Sequence, residues 1–352
     1  KQSEINVGEN SGRLFDALKR FNKKSHFPPI EWLVDLTEQS CADGLYIDTG
    51  SHLLRTRKNY MTYVENGIGI FAYNTEKNNT VNMHILKYLV RQQNFKGFVF
   101  YSNASKRSFD VLFKDCHEII SKSGPVIYPF VKSLSCYERE EVPKEKQVLG
   151  FCSSNFYLKG GLELLSVARL YPNLRFDVVT RISDIDASDL RGIPSNVKLI
   201  DFSLSNEEFV GYAKHNWDAY LHPTFFDTLA LASLEMIRNG IPVIATDTFA
   251  LSEYVIPGMT GFLVDNPRNP FDHNYLPKEK GYLGDTIAWL AKRANEPSSN
   301  MVSALCSAIE KYYSERLILL EGVREFNKSG NFVREKIQSQ WQVILENKTL
   351  EA

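Results

Sequence analysis

The residues best equipped for chemistry lie in one stretch, His222-Pro-Thr-Phe-Phe-Asp-Thr-Leu-Ala-Leu-Ala-Ser-Leu-Glu235. An apolar strand, Ala219 to Leu221, ends there, and a helix is expected from Thr228 or Leu229. Asp227 falls at the cap position, where a carboxylate accepts first-turn N–H groups. Glu235 follows about two turns later, roughly 12 Å along the axis. The N–H groups of Thr228, Leu229 and Ala230 fall in the first turn, where unpaired donors and the helix dipole attract a phosphate. One short element thus offers an acid, an anion-binding set of amides and a second acid. That set suits a sugar nucleotide, with sugar hydroxyls on Asp227, a diphosphate on the amides and ribose hydroxyls on Glu235. A capped helix with a solvated Glu accounts for the same string equally well. His222 is near the same place by sequence, though packing beside Pro223 would explain it too.

The elements that must position these residues alternate along the chain. Short runs rich in Val, Ile, Tyr and Phe read as strands: Ile30–Leu36, Gly44–Asp48, Tyr60–Val64, Ile68–Tyr73, Gly97–Ser102 and Pro125–Pro129. The second half adds Gln147–Cys152, Arg175–Thr180, Val197–Ile200, Ala219–Leu221, Pro242–Thr246 and Gly261–Val264. Amphipathic stretches between them read as helices, among them Gly12–Asn22, Val81–Gln93, Lys106–Lys122, Gly160–Tyr171, Ser205–Lys214, Leu229–Asn239, Gly284–Asn295 and most of 299–326. Such alternation predicts α/β layers with mainly parallel sheets. The charged, Pro-containing stretch Ser133–Lys146 lacks periodicity and reads as a linker. The expected division is 1–140, 141–330 and a helical tail, 331–352, packing back on the first domain. Two such α/β domains place a ligand cleft between the carboxyl ends of their strands.

A chain of 352 residues allows two or three domains, and 43% hydrophobic with 24% charged residues excludes a disordered chain or a collagen-like fibre. No apolar run reaches the roughly 18 residues of a membrane-spanning helix. The five Cys are scattered without a Cys-x-x-Cys pair, which points to neither a zinc site nor a disulfide framework. The opening Lys-Gln-Ser-Glu has no initiator Met and no apolar signal core, and reads as a trimmed end. A cytoplasmic setting is the simpler expectation. The first half is modestly basic and the second modestly acidic, well short of a nucleic-acid binder. Such a first half suits an anionic acceptor or peripheral contact with a membrane surface, though an ordinary solvated surface is the commoner reading of such a charge balance. The helix Gly12–Lys24, with Lys19, Arg20, Lys23 and Lys24 crowding its end, carries the same two readings.

Downstream of Glu235 come Arg238-Asn-Gly-Ile-Pro-Val-Ile-Ala-Thr246 and Ser252-Glu-Tyr-Val-Ile-Pro-Gly-Met-Thr-Gly-Phe-Leu-Val264. At these residues the sequence resembles the second domain of GT-B-fold glycosyltransferases of the retaining family 4 type. The first acid is Asp227 where that family usually has Glu. Upstream, Val148-Leu-Gly-Phe-Cys-Ser-Ser-Asn-Phe-Tyr-Leu-Lys-Gly-Gly161 is similar to the family's strand–loop–Lys-Gly-Gly element. The resemblance implies that Lys159 pairs with the donor diphosphate and stabilises the charge that develops as the glycosidic bond breaks. Ser153 and Ser154 stand where the family commonly has Gly-Arg, and Arg181 is the candidate substitute cation. Asp201-Phe202-Ser203 matches the segment that brackets the base, so Phe202 joins the donor set with Ser153, Ser154, Arg181, His222, Asp227, Thr228, Leu229, Ala230 and Glu235.

The resemblance covers about 145–330 well and the first half thinly. Val7-Gly-Glu-Asn-Ser-Gly12 stands where relatives have a glycine loop, making Gly8, Glu9 and Asn10 acceptor-side candidates. Glu65 and Asn66 occupy the place of a family His near the sugar, Glu65 as a catalytic candidate beside Lys159 and Asp227. His52 is another candidate, though a lone loop His is more often structural. The resemblance implies a GT-B architecture of two Rossmann-like domains facing across a cleft. It implies transfer of a sugar from a nucleotide-sugar donor, with UDP the commoner base, to a glycan, lipid-linked or other hydroxyl acceptor. Retention of configuration and independence from metal come with it, because Lys and helix amides take the ion's role. Asp184-Ile-Asp186 has bare Asp-x-Asp spacing but lies in a polar loop rather than at the end of an apolar strand. A sugar-nucleotide epimerase, a phosphorylase or a non-catalytic nucleotide-sugar-binding module shares the same features. A glycoside hydrolase needs two carboxylates about 5–10 Å apart across one bond, closer than Asp227 and Glu235 along one helix.

Overall fold

The computed structural model describes residues 20–33, 45–133, 147–293, 296–328 and 330–350. The chain forms two compact units. One comprises Lys1–Ile127, Asp272–Thr286 and Gln342–Ala352, and the other Tyr128–Phe271 and Ile287–Trp341.

The first unit is built on four parallel strands in the order β1 (Tyr46–Asp48), β2 (Tyr60–Val64), β3 (Phe95–Phe100) and β4 (Ser123–Val126). Helices α1 (Thr80–Val90), α2 (Asn103–Leu112) and α3 (His117–Ile120) connect them. Side-chain oxygens set two of these starts: Asn79 accepts from Asn82 N ahead of α1, and Ser102 from Ser105 N ahead of α2. Phe109 of α2 lies 4.6 Å from the Phe98 ring and 4.7 Å from that of Phe113, in a core rich in aromatic residues.

Three elements here differ from expectation. Ile68–Tyr73 is not a strand; Gly67–Phe71 forms a 3₁₀ helix capped by Asn66, whose Oδ1 accepts from Ile68 N. The run is buried throughout, so it has no polar face and its period was uninformative. Gly67 lets it press on α2, since a Cβ there would stand 2.7 Å from Phe109 N. Ile30–Trp32 is likewise a 3₁₀ turn after Pro28-Pro29, and 34–36 lie outside the described residues. The single helix expected over Lys106–Lys122 is two, divided after Leu112. Of the helix expected at Gly12–Asn22, only the part from Arg20 is described, helical to Lys24.

The second unit holds six parallel strands: β5 (Val148–Ser153), β6 (Arg175–Thr180), β7 (Val197–Asp201), β8 (Ala219–His222), β9 (Val243–Thr246) and β10 (Gly261–Val264). Their order is β10-β9-β8-β5-β6-β7. The sheet grows in one direction from β5 to β7 and in the other from β8 to β10, so the order reverses between β5 and β8. Helices α4 (Gly161–Leu170), α5 (Ala187–Arg191), α6 (Asn206–Asn216) and α7 (Leu231–Arg238) follow in the crossovers. Past them run α8 (Leu283–Arg293), α9 (Ser299–Lys328) and α10 (Arg334–Leu350), of which Leu283–Thr286 and the part from Gln342 belong to the first unit. Phe151, Leu165, Phe176, Val178, Leu221, Ile244, Ile309 and Tyr312 belong to one buried cluster. Gly150 admits Trp217 against β5, since a Cβ there would fall 1.9 Å from its ring. Among the described residues, no helix is long and apolar enough to cross a membrane.

Candidate nucleotide-sugar site

In an open parallel sheet, ligands bind beyond the carboxyl ends of the strands where the order reverses. Here that point lies beyond β5 and β8, and the loops that leave them are packed together. Gly160 adopts φ 75°, and a Cβ on it would stand 2.1 Å from the carbonyl oxygen of Pro223. Gly161 faces the Phe156 ring at 2.4 Å in the same sense. The Gly-Gly pair therefore answers two close approaches, one of which brings the end of the Lys159 loop against the loop after His222. Phe225 N donates to Leu158 O at 3.0 Å and closes the contact.

The charged groups meet at this junction. Lys159 Nζ donates to Asp227 Oδ2 and to the Phe226 carbonyl, both at 2.6 Å. His222 Nε2 stands 3.1 Å from the same Oδ2. A carboxylate only accepts, so the Nε2 proton belongs on the histidine. Asp227 Oδ1 accepts from Thr228 N at 3.0 Å and Ala230 N at 2.8 Å. Burial alone would raise the Asp227 carboxyl, but the Lys159 ammonium and His222 outweigh it and hold it well below the usual carboxylate range. Burial lowers His222 and opposes the pull of Asp227, which favours the neutral ring. The Lys159 and Asp227 side chains keep 20% and 17% of their surface, so a ligand can reach both, while His222 keeps 3%.

Helix α7 begins at Leu231, later than the expected Thr228 or Leu229. Ala230 precedes it in the left-handed region, φ 49°. Two of the three amides expected to meet a phosphate, those of Thr228 and Ala230, are thus turned onto Asp227. A short acid directly before the segment can fold back onto it, which is the local reason for the delayed start. Leu229 is buried between them.

Glu235 lies further along α7, half-buried, in a pocket of about 290 Å³ with Cys152, Val179, Phe202, Leu204, Asn206, Phe209 and Ala232. Asn206 Nδ2 donates to Glu235 Oε1 at 2.9 Å. Burial raises the Glu235 carboxyl, and this bond lowers it. Contacts join the pocket to the charged junction. The Tyr220 hydroxyl donates to the Cys152 carbonyl at 3.0 Å and stands 3.3 Å from His222 Nδ1.

The remaining candidates are placed as follows. Ser153 is buried, and its hydroxyl accepts from Asn155 N at 2.8 Å; Ser154 is exposed. Arg181 is exposed past the end of β6. Phe202 is 44% exposed at the rim of the Glu235 pocket. In the first unit, Glu65 Oε2 accepts from the Tyr73 hydroxyl at 3.1 Å, while Asn66 is fully buried and serves as a helix cap. The His52 amide donates to Asp48 Oδ2 at 2.8 Å, a loop-closing contact. Gly8, Glu9 and Asn10 lie outside the described residues. Asn206 and Tyr220 were not singled out from the sequence. The helix expected over Ser205–Lys214 is present and opens on a capping box between Ser205 and Glu208, but nothing in the sequence aims Asn206, its first residue, at Glu235. Among the described residues no group of three or more His, Cys, Asp and Glu could hold a metal ion.

Residues 138–272 match the family model described as Glycosyl transferases group 1. No curated protein sequence matches the chain. Among solved structures, a sucrose-phosphate synthase from Thermosynechococcus elongatus is similar at TM-score 0.55 and 14% identity, over 85% of this chain and 70% of that one. WaaG, a glycosyltransferase involved in lipopolysaccharide biosynthesis, is similar at TM-score 0.54 and 14% identity, over 88% and 79%. TarM is similar at TM-score 0.52 and 15% identity, over 88% and 56%. The fold shared with them is GT-B, with two Rossmann-like units built on parallel sheets.

Proposed function

We propose that this chain, which carries a glycosyl transferases group 1 segment on a GT-B fold, transfers a sugar from a nucleotide-sugar donor to a hydroxyl acceptor with retention of configuration. The observation that carries the reading is the Lys159–Asp227–His222 junction at the reversal of strand order, with an apolar pocket ending in a carboxylate in the same unit. The base and ribose occupy the pocket, the ring against Phe202 and the ribose hydroxyls on Glu235. The diphosphate lies beside Lys159. A charge-assisted bond from the ammonium is strongest when the leaving phosphate carries most charge, so it favours the transition state over the bound donor. Asp227 neutralises Lys159 before the donor arrives and accepts a sugar hydroxyl afterwards.

In this reading the lysine supplies the positive charge that a divalent ion would otherwise supply, and activity survives chelation. Oxocarbenium character develops at the anomeric carbon as the carbon–oxygen bond to the diphosphate lengthens. The acceptor oxygen bonds that carbon on the same face, and its proton passes to the departing phosphate oxygen. The acceptor is a glycan or lipid-linked hydroxyl met by the first unit, where Glu65 is the candidate polar contact and the basic surface suits an anionic acceptor or membrane periphery. UDP is the first base to try. Incubation of UDP-, GDP-, ADP- and TDP-sugars with glycan acceptors in EDTA, followed by proton NMR of the anomeric signals, tests the reading. The expected product keeps the donor's anomeric configuration. An inverted product, an isomerised donor or no transfer with any pair would overturn it.

A further inference from the structure

Glu235 is held from a second element. Asn206 is the first residue of α6, and its side-chain amide reaches across to α7 to donate to Glu235 Oε1. Both line the 290 Å³ pocket, whose other walls are Cys152, Val179, Phe202, Leu204, Phe209 and Ala232. A carboxylate against such walls has few groups to orient it. An ionised carboxylate offers about four lone-pair sites over two oxygens, and the amide occupies one. The rotamer is then fixed while both oxygens can still accept from a diol.

On the reading that this pocket takes the base and ribose of the donor, we propose that Asn206 is a positioning residue that aims the Glu235 carboxylate at the ribose hydroxyls. The site thereby selects ribonucleotides over 2′-deoxyribonucleotides. The bond also supports the ionised form, which alone accepts from both hydroxyls. The other titratable groups near Glu235 are the Cys152 thiol on β5 and the Tyr220 hydroxyl on β8. Burial pushes Cys152 up to about 12 and Tyr220 upward as well, so both are neutral near pH 7 and neither supplies the charge contact.

The test is calorimetric titration of UDP, GDP and ADP, and of their 2′-deoxy counterparts, into wild type, Asn206→Ala, Asn206→Ser and Glu235→Ala between pH 5 and 8. Asn206 is exposed at a helix start, and circular dichroism of both Asn206 variants establishes that they fold. The expected result is about a tenfold loss of ribonucleotide affinity in both, with 2′-deoxy affinity nearly unchanged. The pH at which ribonucleotide binding fades should also move upward, because the carboxylate has lost a donor. Glu235→Ala should erase the ribose preference altogether. If Glu235→Ala erases it while the Asn206 variants keep wild-type ratios and pH profile, the inference falls and the reading of the pocket stands. If Glu235→Ala itself keeps the wild-type ratio, the reading of the pocket fails and the inference with it.

Discussion

Lys159 Nζ and Asp227 Oδ2 stand 2.6 Å apart although 68 residues separate them in the chain. They meet because β5 and β8 are neighbours at the reversal of strand order, and because Gly160 lets the two following loops touch. The ammonium is therefore held in place before any ligand arrives, and little of its freedom remains to be lost on binding.

Replacing Lys159 with Ala should lower turnover by about 10²–10³-fold, the usual cost of removing one aimed donor from developing negative charge. Asp227 would keep its two amides and His222, so the fold should survive. Steady-state kinetics with a productive donor, beside circular dichroism, checks both. A folded variant with wild-type turnover would remove Lys159 from the mechanism.

Stability should respond to acid through Asp227. The Lys159 ammonium and His222 outweigh burial and hold its folded carboxyl well below the usual carboxylate range, so it binds a proton less readily folded than unfolded. Its stabilising contribution is present above about pH 4 and is lost as pH falls through the depressed folded value. Asp227→Asn lacks that dependence. Urea midpoints between pH 7 and pH 3 should fall less steeply for the variant than for wild type. Parallel curves would show that the carboxylate is not linked to folding.

Gly160→Ala should destabilise the second unit through both backbone and contact. A left-handed residue with a Cβ costs roughly 1–2 kcal/mol, and the new carbon would meet the Pro223 carbonyl at 2.1 Å. Urea unfolding measures the loss, and nucleotide affinity should fall with it because Lys159 shifts. Unchanged stability would mean that the two loops separate without cost.

The parallel strands of the second unit were legible because their runs are apolar, short and bounded by Gly, Pro and Asn. Arg175–Thr180 and Gly261–Val264 match their expected limits. Ile68–Tyr73 was illegible for the converse reason, since a 3₁₀ helix buried on all sides shows no period that separates it from a strand. The site shows the same division. Spacing brought out Asp227, after a strand end, and Glu235, about two turns further on, while Lys159 came from the family resemblance of the Lys-Gly-Gly element. It could not show that Asp227 turns back onto the amides of Thr228 and Ala230, since that depends on the left-handed backbone of Ala230. Nor could it find Asn206, which reaches Glu235 only once α6 packs beside α7.

The most direct measurement is the thermal shift of the protein with UDP-, GDP-, ADP- and TDP-sugars, compared among wild type, Lys159→Ala and Glu235→Ala. A ligand that binds only the native state raises the midpoint by mass action. The account predicts a rise for wild type with at least one donor and most of that rise lost in each variant, with unliganded midpoints close to wild type. A full response in both variants would contradict the placement of a nucleotide sugar between Lys159 and Glu235.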